Sequence, residues 1–398
     1  MPMDPRLISM MFPESTSASP QHWDLVIVGA GPAGSAAALG ALTEAPDLSV
    51  LLLDRSDFPR DKVCGDGIAT HALAELAEIG VHGIDDGWPP VRRLELALGG
   101  TSVSSDRHRL GWVIPRSVFD ARLVDRAIAA GAVLRRHRVV DVVLSDGAVS
   151  IDDIAFADVV IGADGPYSIL RVAAGLPPTG RRALALRGYV PTPARWEGAQ
   201  VIRFGERRQP SYAWAFDRGD GICNVGYGEV LGVERQPPTR SLLLAELEDL
   251  LPGATTGGDA WKAHQLPLSG WRWDQPDGNI LLAGDASGLV NPMTGEGIYY
   301  AVATGLRAGR AAASAIRAGD PRSAGRTYRH AVRCLLANHL RHTSIAARLA
   351  RVPWVVRAGI RAASRDDRVF DDLVELGLGR GLITPRLAGG LLPRLISP

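Results

Sequence analysis

The stretch Phe58-Pro59-Arg60-Asp61-Lys62-Val63-Cys64-Gly65-Asp66-Gly67 sets a thiol among carboxylates, a lysine and two glycines. A thiol near its ordinary pKa can donate a proton at neutral pH. The flanking Gly65 and Gly67 let backbone and sulfur approach a planar ligand closely. Cys64, with Asp66 beside it, is therefore the catalytic candidate, and Lys62 stands where a cation could depress the thiol's pKa. The alternatives are a small buried spacer for Cys64 and a solvated lysine for Lys62.

The elements before this loop say what it serves. Asp24-Leu25-Val26-Ile27-Val28 is a short apolar, β-rich run ending in Gly29-Ala30-Gly31-Pro32-Ala33-Gly34, and an Ala-rich helical stretch follows to about Ala45. Ser49-Val50-Leu51-Leu52-Leu53-Asp54 reads as a second strand ending in an acid, twenty residues beyond Gly34 and followed by Arg55. Gly29 allows the tight turn, Gly31 admits a pyrophosphate, Gly34 lets the helix pack closely, and the helix N-terminus holds the anion. Asp54 would accept hydrogen bonds from ribose hydroxyls and repel a 2′-phosphate, which favours FAD or NAD.

Two later strands end at the same place. Asp158-Val159-Val160-Ile161-Gly162-Ala163-Asp164-Gly165 runs into an acidic turn, and Gly278-Asn279-Ile280-Leu281-Leu282-Ala283-Gly284-Asp285-Ala286 into another. Pro292-Met293-Thr294-Gly295-Glu296-Gly297-Ile298 then opens a helix running to roughly Ala318, offering a second helix N-terminus to one ligand.

Composition narrows the function classes. Lys plus Arg (44) nearly balances Asp plus Glu (43), so no global field draws a polyanion. The only lysines are Lys62 and Lys262, and Cys64, Cys223 and Cys334 are too few and too scattered for a disulfide framework or zinc cluster. Cys223 and Cys334 read as buried apolar positions, His71 and His264 as structural histidines, and no metal is expected. No apolar run approaches ~18 residues, and residues 1–22 read as a polar, flexible leader. A reducing cytoplasm fits, with a peripheral membrane position open.

GxGxxG, GADG and GDASGLVNPMTGEGI, in this order and spacing, resemble the FAD-dependent oxidoreductases of the aromatic-hydroxylase fold over about residues 24–320. The resemblance implies an α/β protein: a Rossmann-like FAD-binding domain with a parallel sheet (23–75, 110–170 and 262–320), an α+β substrate domain with an antiparallel sheet (76–109 and 171–261), and C-terminal helices (321–398). It implies that FAD is held by Gly29, Gly31, Pro32, Ala33, Gly34, Asp54, Arg55, Cys64, Gly65, Arg116, Asp164, Gly165, Gly284 and Asp285. Pro292, Gly295, Glu296, Gly297 and Ile298 would present backbone to the flavin edge. Arg116 otherwise reads as a helix-capping surface arginine. No second GxGxxG supplies a nicotinamide domain, so NADH or NADPH as donor is implied by the resemblance alone.

The thiol loop resembles the KxCGGG loop of the geranylgeranyl reductase family and departs from flavin halogenases. Pro210-Ser211-Tyr212-Ala213-Trp214-Ala215-Phe216-Asp217 and the following Asn224-Val225-Gly226 resemble that family's YxWxFP and NVG strands. Tyr212, Trp214 and Phe216, at alternate strand positions, would share one face and line an apolar substrate pocket, or else be ordinary core. Asp66 replaces the motif's middle glycine and Asp217 its proline. The implied reaction is reduction of carbon–carbon double bonds in an isoprenoid or polyene-like substrate. A flavin monooxygenase is the alternative enzyme and a flavin- or lipid-binding module the non-enzymatic one; Cys64 as a covalent flavin link also stays open.

From Pro321 to Arg365 there is no Asp or Glu but ten arginines. Ile345, Leu349, Val352, Val356 and Ile360 fall near helical spacing among them. The expectation is an amphipathic basic helix docking on a membrane surface or an acidic carrier protein, against packed helices with paired arginines. Pro353 and the glycines after Gly377 divide the tail into several helices.

Overall fold

The computed structural model describes residues 20–391 except 107–110, 145–146, 208, 233–236 and 272. Most of the expected leader, residues 1–19, lies outside the described residues, as do 392–398 of the tail. The chain opens with β1 (Gln21–Val28), α1 (Pro32–Glu44) and β2 (Val50–Asp54), then β3 (Gly67–Ala69) and α2 (Thr70–Ala77). β4 (Arg93–Leu98), β5 (Thr101–Ser105), β6 (Gly111–Val113), α3 (Arg116–Ala129), β7 (Val133–Arg136), β8 (Val142–Leu144), β9 (Val149–Ile151) and β10 (Ala155–Gly162) follow. After the short α4 (Ile169–Ala173) come β11 (Arg181–Pro191), β12 (Ala199–Phe204), β13 (Ser211–Asp217), β14 (Ile222–Val230), α5 (Arg240–Leu250), β15 (Asp259–Leu268) and β16 (Ile280–Leu282). The chain closes with α6 (Ile298–Arg317), α7 (Ala324–Leu349), α8 (Pro353–Ala363), α9 (Asp367–Leu378) and α10 (Pro385–Leu391).

Two seven-stranded sheets carry the structure. In the first, β7-β2-β1-β10 and β16 run parallel, while β9 and β8 extend the edge antiparallel. Leu25 to Val28 and Val50 to Leu53 are buried on both faces, which is why these strands read as unbroken apolar runs. The second sheet, β15-β11-β14-β13-β12-β4-β5, is antiparallel except for the β12–β4 pair. β15 extends it to Leu268, several residues into the segment expected to belong to the FAD-binding domain.

Helices α1 and α6 pack almost backbone to backbone. A Cβ on Gly305 would lie 2.2 Å from the Ala33 carbonyl oxygen, and one on Gly309 1.9 Å from that of Ala37. Alanine and glycine fill this seam because larger side chains do not fit. Among the described residues, no helix is long and apolar enough to cross a membrane.

The arginine-rich segment is not one amphipathic helix. Pro353 cannot continue α7, which ends at Leu349. Leu349, Val356 and Ile360 sit on two helices and face a cavity rather than one outer stripe. Arg329 pairs with Asp277 and Arg357 with Glu206, so part of the positive charge is spent within the fold. Cys223 is buried, but Cys334 is exposed on α7, because its helical position turns outward beside His330.

Substituting valine for Gly309 is expected to cost about 3 kcal/mol through overpacking. Thermal unfolding measures it, and a Gly309→Val protein that melts with the parent would show that the seam can open.

Candidate functional site

A cavity of about 950 Å3 runs from the glycine turn, past the thiol loop, to a chamber between the second sheet and α7–α10. At the glycine turn Gly29 has φ of +97°, and a Cβ there would lie 2.3 Å from the Ala163 carbonyl oxygen. Only glycine satisfies both constraints. A Cβ on Gly34 would lie 1.8 Å from the Gly29 oxygen, so Gly34 serves helix–strand packing and does not line the cavity. Gly29, Gly31, Pro32 and Ala33 do line it, and the first turn of α1 carries no acidic residue to compete for its amides.

Asp54 closes this end. Its carboxylate accepts the Ala30 N–H at 2.9 Å and the Ser56 N–H at 2.9 Å. Arg60, absent from the sequence expectations, stands over the turn: Nη2 is 3.7 Å from Asp54 and 3.2 Å from where a Gly31 Cβ would be. Its Nη1 is 3.2 Å from Asp120, which Arg116 grips through two hydrogen bonds of 2.6 and 2.8 Å. Arg116 is 4% exposed and lines the cavity, so it is not a surface cap. Arg55, Asp164, Gly165 and Asp285 also line the wall, whereas Gly284 lies behind it, giving its N–H to Thr304. Asp164 carries an orphaned buried oxygen, Oδ1, and burial pushes its carboxyl up.

An adenine dinucleotide fits this end: free helix amides, two arginines, and carbonyl-lined glycine positions that a side chain would obstruct. Burial pushes the Asp285 carboxyl up, but the Lys62 ammonium at 3.1 Å and Arg116 outweigh that and hold it below the ordinary carboxylate range. Lys62 is thus engaged with Asp285, and the Cys64 thiol is pushed up by burial, against the expectation that Lys62 would depress it. The thiol is protonated at neutral pH.

Nearly every polar group of the thiol loop is tied to the surrounding sheets and helices. Asp61 meets Arg187 of β11 at 2.5 Å and Lys262 of β15 at 2.8 Å. Arg187 is fully buried, lines the cavity and stacks 4.4 Å over Tyr189. Asp66 does not line the cavity. It takes φ of +60°, the left-handed region where glycine, aspartate and asparagine are favoured. Its Oδ2 accepts the Tyr189 hydroxyl at 2.6 Å and Asn224 Nδ2 at 2.8 Å. An aspartate can therefore stand where the motif has glycine. Asn224 also donates to the Cys64 carbonyl at 2.9 Å and accepts Trp214 Nε1 at 2.9 Å, joining loop to aromatic strand.

Beyond the loop the wall turns apolar. Tyr212, Trp214 and Phe216 all line it, with successive ring centroids 5.9 and 6.4 Å apart. Leu94, Leu96, Ile202, Val356, Ile360 and Leu373 extend the chamber. Asp217 faces away, accepting Thr192 Oγ1 at 2.8 Å and the Gly198 N–H at 2.7 Å, so the missing motif proline alters a turn and not the chamber. Pro292, Gly295, Glu296, Gly297, Ile298 and Gly65 all line the cavity, and Glu296 is near enough to the Cys64 thiol to act on it electrostatically. Burial raises Glu296 to about 7, although backbone N–H groups of Tyr299 and Ile298 oppose the shift. His264, expected to be structural, lines the wall with Nε2 unpartnered; burial and Lys62 hold its pKa down. Asn224 falls in the Asn224-Val225-Gly226 motif but drew no role from it, whereas no flanking motif marks Arg187 or His264, whose partners and position only the folded sheets reveal.

No family model matches the chain. It is similar to a menaquinone reductase of Mycolicibacterium smegmatis, 33% identical over 360 residues covering 82% of this chain and 83% of the relative. It is also similar to digeranylgeranylglycerophospholipid reductase 1 of Methanopyrus kandleri, 35% identical over 328 residues covering 75% and 82%. A geranylgeranyl bacteriochlorophyll reductase-like protein of Thermoplasma acidophilum shares the fold: TM-score 0.78, 19% identity, covering 94% of this chain and 98% of that one.

Two variants probe the site. Asn224→Ala leaves Trp214 Nε1 and the Cys64 carbonyl without this partner, and a loss of about 3 kcal/mol is expected in denaturant unfolding. For Glu296 the folded-state pKa lies above the usual 4.5. The folded protein therefore prefers the protonated acid, and stability is lost as pH rises from about 4.5 to about 7. Glu296→Gln should be neutral near pH 4 and stabilising by up to about 3 kcal/mol near pH 8.5, read as a Tm difference that grows with pH.

Proposed function

Because the chain belongs to the geranylgeranyl reductase family of FAD-dependent oxidoreductases, we propose that it reduces carbon–carbon double bonds in the isoprenoid part of a long substrate. NADH or NADPH is the electron donor in this reading. The observation that carries it is the continuous cavity, which joins a dinucleotide site to an apolar chamber through the Cys64 loop. The relatives are named for reducing menaquinone and digeranylgeranylglycerophospholipid, and both names favour reduction over oxygenation.

FAD held along Gly31, Ala33, Arg60 and Arg116 would supply hydride for one carbon of the double bond. The other carbon needs a proton, and the wall must keep that proton in a chamber with little water. Two groups can hold it there. Glu296, raised to about 7, is about half protonated at neutral pH, and the thiol of Cys64 stays protonated through the same range. We assign donation to Glu296, whose pKa sits near working pH as an effective general acid requires, and a substrate-contacting role to Cys64. Asp66 is a positioning residue, acting through Tyr189 and Asn224. Tyr212, Trp214 and Phe216 line the path of the apolar chain; Tyr212 is itself held by the Thr294 carbonyl.

The test is anaerobic. Reduced holoenzyme mixed with a detergent-dispersed geranylgeranyl lipid should reoxidise its flavin, and the product should gain two hydrogens per double bond. Turnover that requires dioxygen and adds an oxygen atom would overturn the reading in favour of the monooxygenase. If Glu296 donates as the acid, the rate falls as pH rises through about 7, and Glu296→Gln lowers it about 100-fold and flattens that limb. Cys64→Ser should retain flavin but slow reduction; unchanged turnover would remove Cys64 from the chemistry.

A further inference from the structure

The elbow between α7 and α8 carries groups that the fold does not use. Leu349, Val352 and Trp354 are 43%, 40% and 42% exposed, three large apolar side chains within six residues. Arg348 and Arg351 are interleaved with them, in the stretch from Pro321 to Arg365 that contains no carboxylate. Arg181, at the start of β11, is near enough to feel both guanidinium groups, and its own buried Nη2 has no hydrogen-bond partner. Among the described residues, no carboxylate pairs with Arg181, Arg348 or Arg351. Three cations are thus gathered without a counter-ion.

The position of this cluster gives it meaning. Leu349, Ala350, Val355 and Val356 line the cavity, so the exposed Val352 and Trp354 flank its wall. The elbow therefore borders the apolar chamber. Arg181 is in register with Leu268, another wall residue, which sets the cluster on the same rim.

We propose that the elbow docks the protein on an anionic bilayer, with Leu349, Val352 and Trp354 entering the headgroup boundary and Arg181, Arg348 and Arg351 contacting lipid phosphates. Charge complementarity singles out this occupant: exposed apolar and aromatic side chains with interleaved arginines match an interface that is apolar within and negative outside. The arrangement rests on the reading of the chamber as a site for an isoprenoid chain. Such a chain would pass from the bilayer into the cavity without crossing water.

Co-sedimentation of the holoenzyme with vesicles tests the proposal. Binding is expected to vesicles of phosphatidylglycerol and phosphatidylcholine, and to weaken with salt. Arg351→Ala should weaken it about five-fold, equivalent to about 1 kcal/mol for one cation at the surface. Trp354→Glu should abolish it. Both residues lie outside the cavity wall, so both variants should still reduce a detergent-dispersed substrate, which also shows that they fold. Equal binding to pure phosphatidylcholine, or no vesicle binding by the parent, overturns the proposal. So does finding that Trp354→Glu instead breaks a dimer or the capture of an acidic carrier protein. Vesicle binding without double-bond reduction would overturn the enzymatic reading and leave the docking surface standing. Reduction in detergent without vesicle binding would do the reverse.

Discussion

The site depends on how the Phe58–Gly67 loop is held between two sheets. It leaves β2, whose end faces the dinucleotide position, and must reach the wall of a chamber built by the other sheet. The polar side chains it carries would be expensive to bury unpaired. Arg60 is set against Asp54 and Asp120, Asp61 against Arg187 and Lys262, Lys62 against Asp285. Asp66 closes the loop onto Tyr189 and Asn224. Arg60, Asp61 and Lys62 line the cavity with their charges so paired, and the thiol of Cys64 lines it beside them.

This arrangement also separates the cavity electrically. The glycine-turn end is ringed by Arg55, Arg60 and Arg116 and two helix N-termini, while the far end is hydrocarbon. Glu296 lies at the change-over. Burial raises it there, whereas at Asp285 the Lys62 ammonium and Arg116 outweigh burial and hold the carboxyl down. The cation beside a buried acid, and not burial alone, thus decides which way its proton affinity moves.

The parts of the fold that follow a local rule were legible before any coordinates. The glycine turn, the acid ending β2, the strand ahead of Asp164 and the helix opening at Ile298 all follow from short-range sterics and periodicity. The alternate aromatics of β13 fell on one face, as strand geometry requires. What could not be read depends on contacts between distant segments. Arg187 is one arginine within an apolar strand until Asp61, 126 residues away, meets it. The stripe through Ile345 and Ile360 had helical period, but period does not say that Pro353 will fold it back as the rim of a cavity. Asp66 looked like a departure from a motif because its backbone angle, which motif letters do not record, was unknown.

The seam between α1 and α6 has a consequence for the ligand's dimensions. Gly305 lies against Ala33 and Gly309 against Ala37, so the helices run parallel, and α6 begins about two turns, roughly 10 Å, ahead of α1. Both N-termini face the cavity. The seam thereby acts as a fixed ruler, with two electropositive marks whose spacing is set by main-chain contact and not by any side chain that mutation could lengthen. A bound molecule must carry its electron-rich groups at that interval. Rulers of this kind let the chamber beyond change its walls freely while the cofactor's seat keeps its gauge.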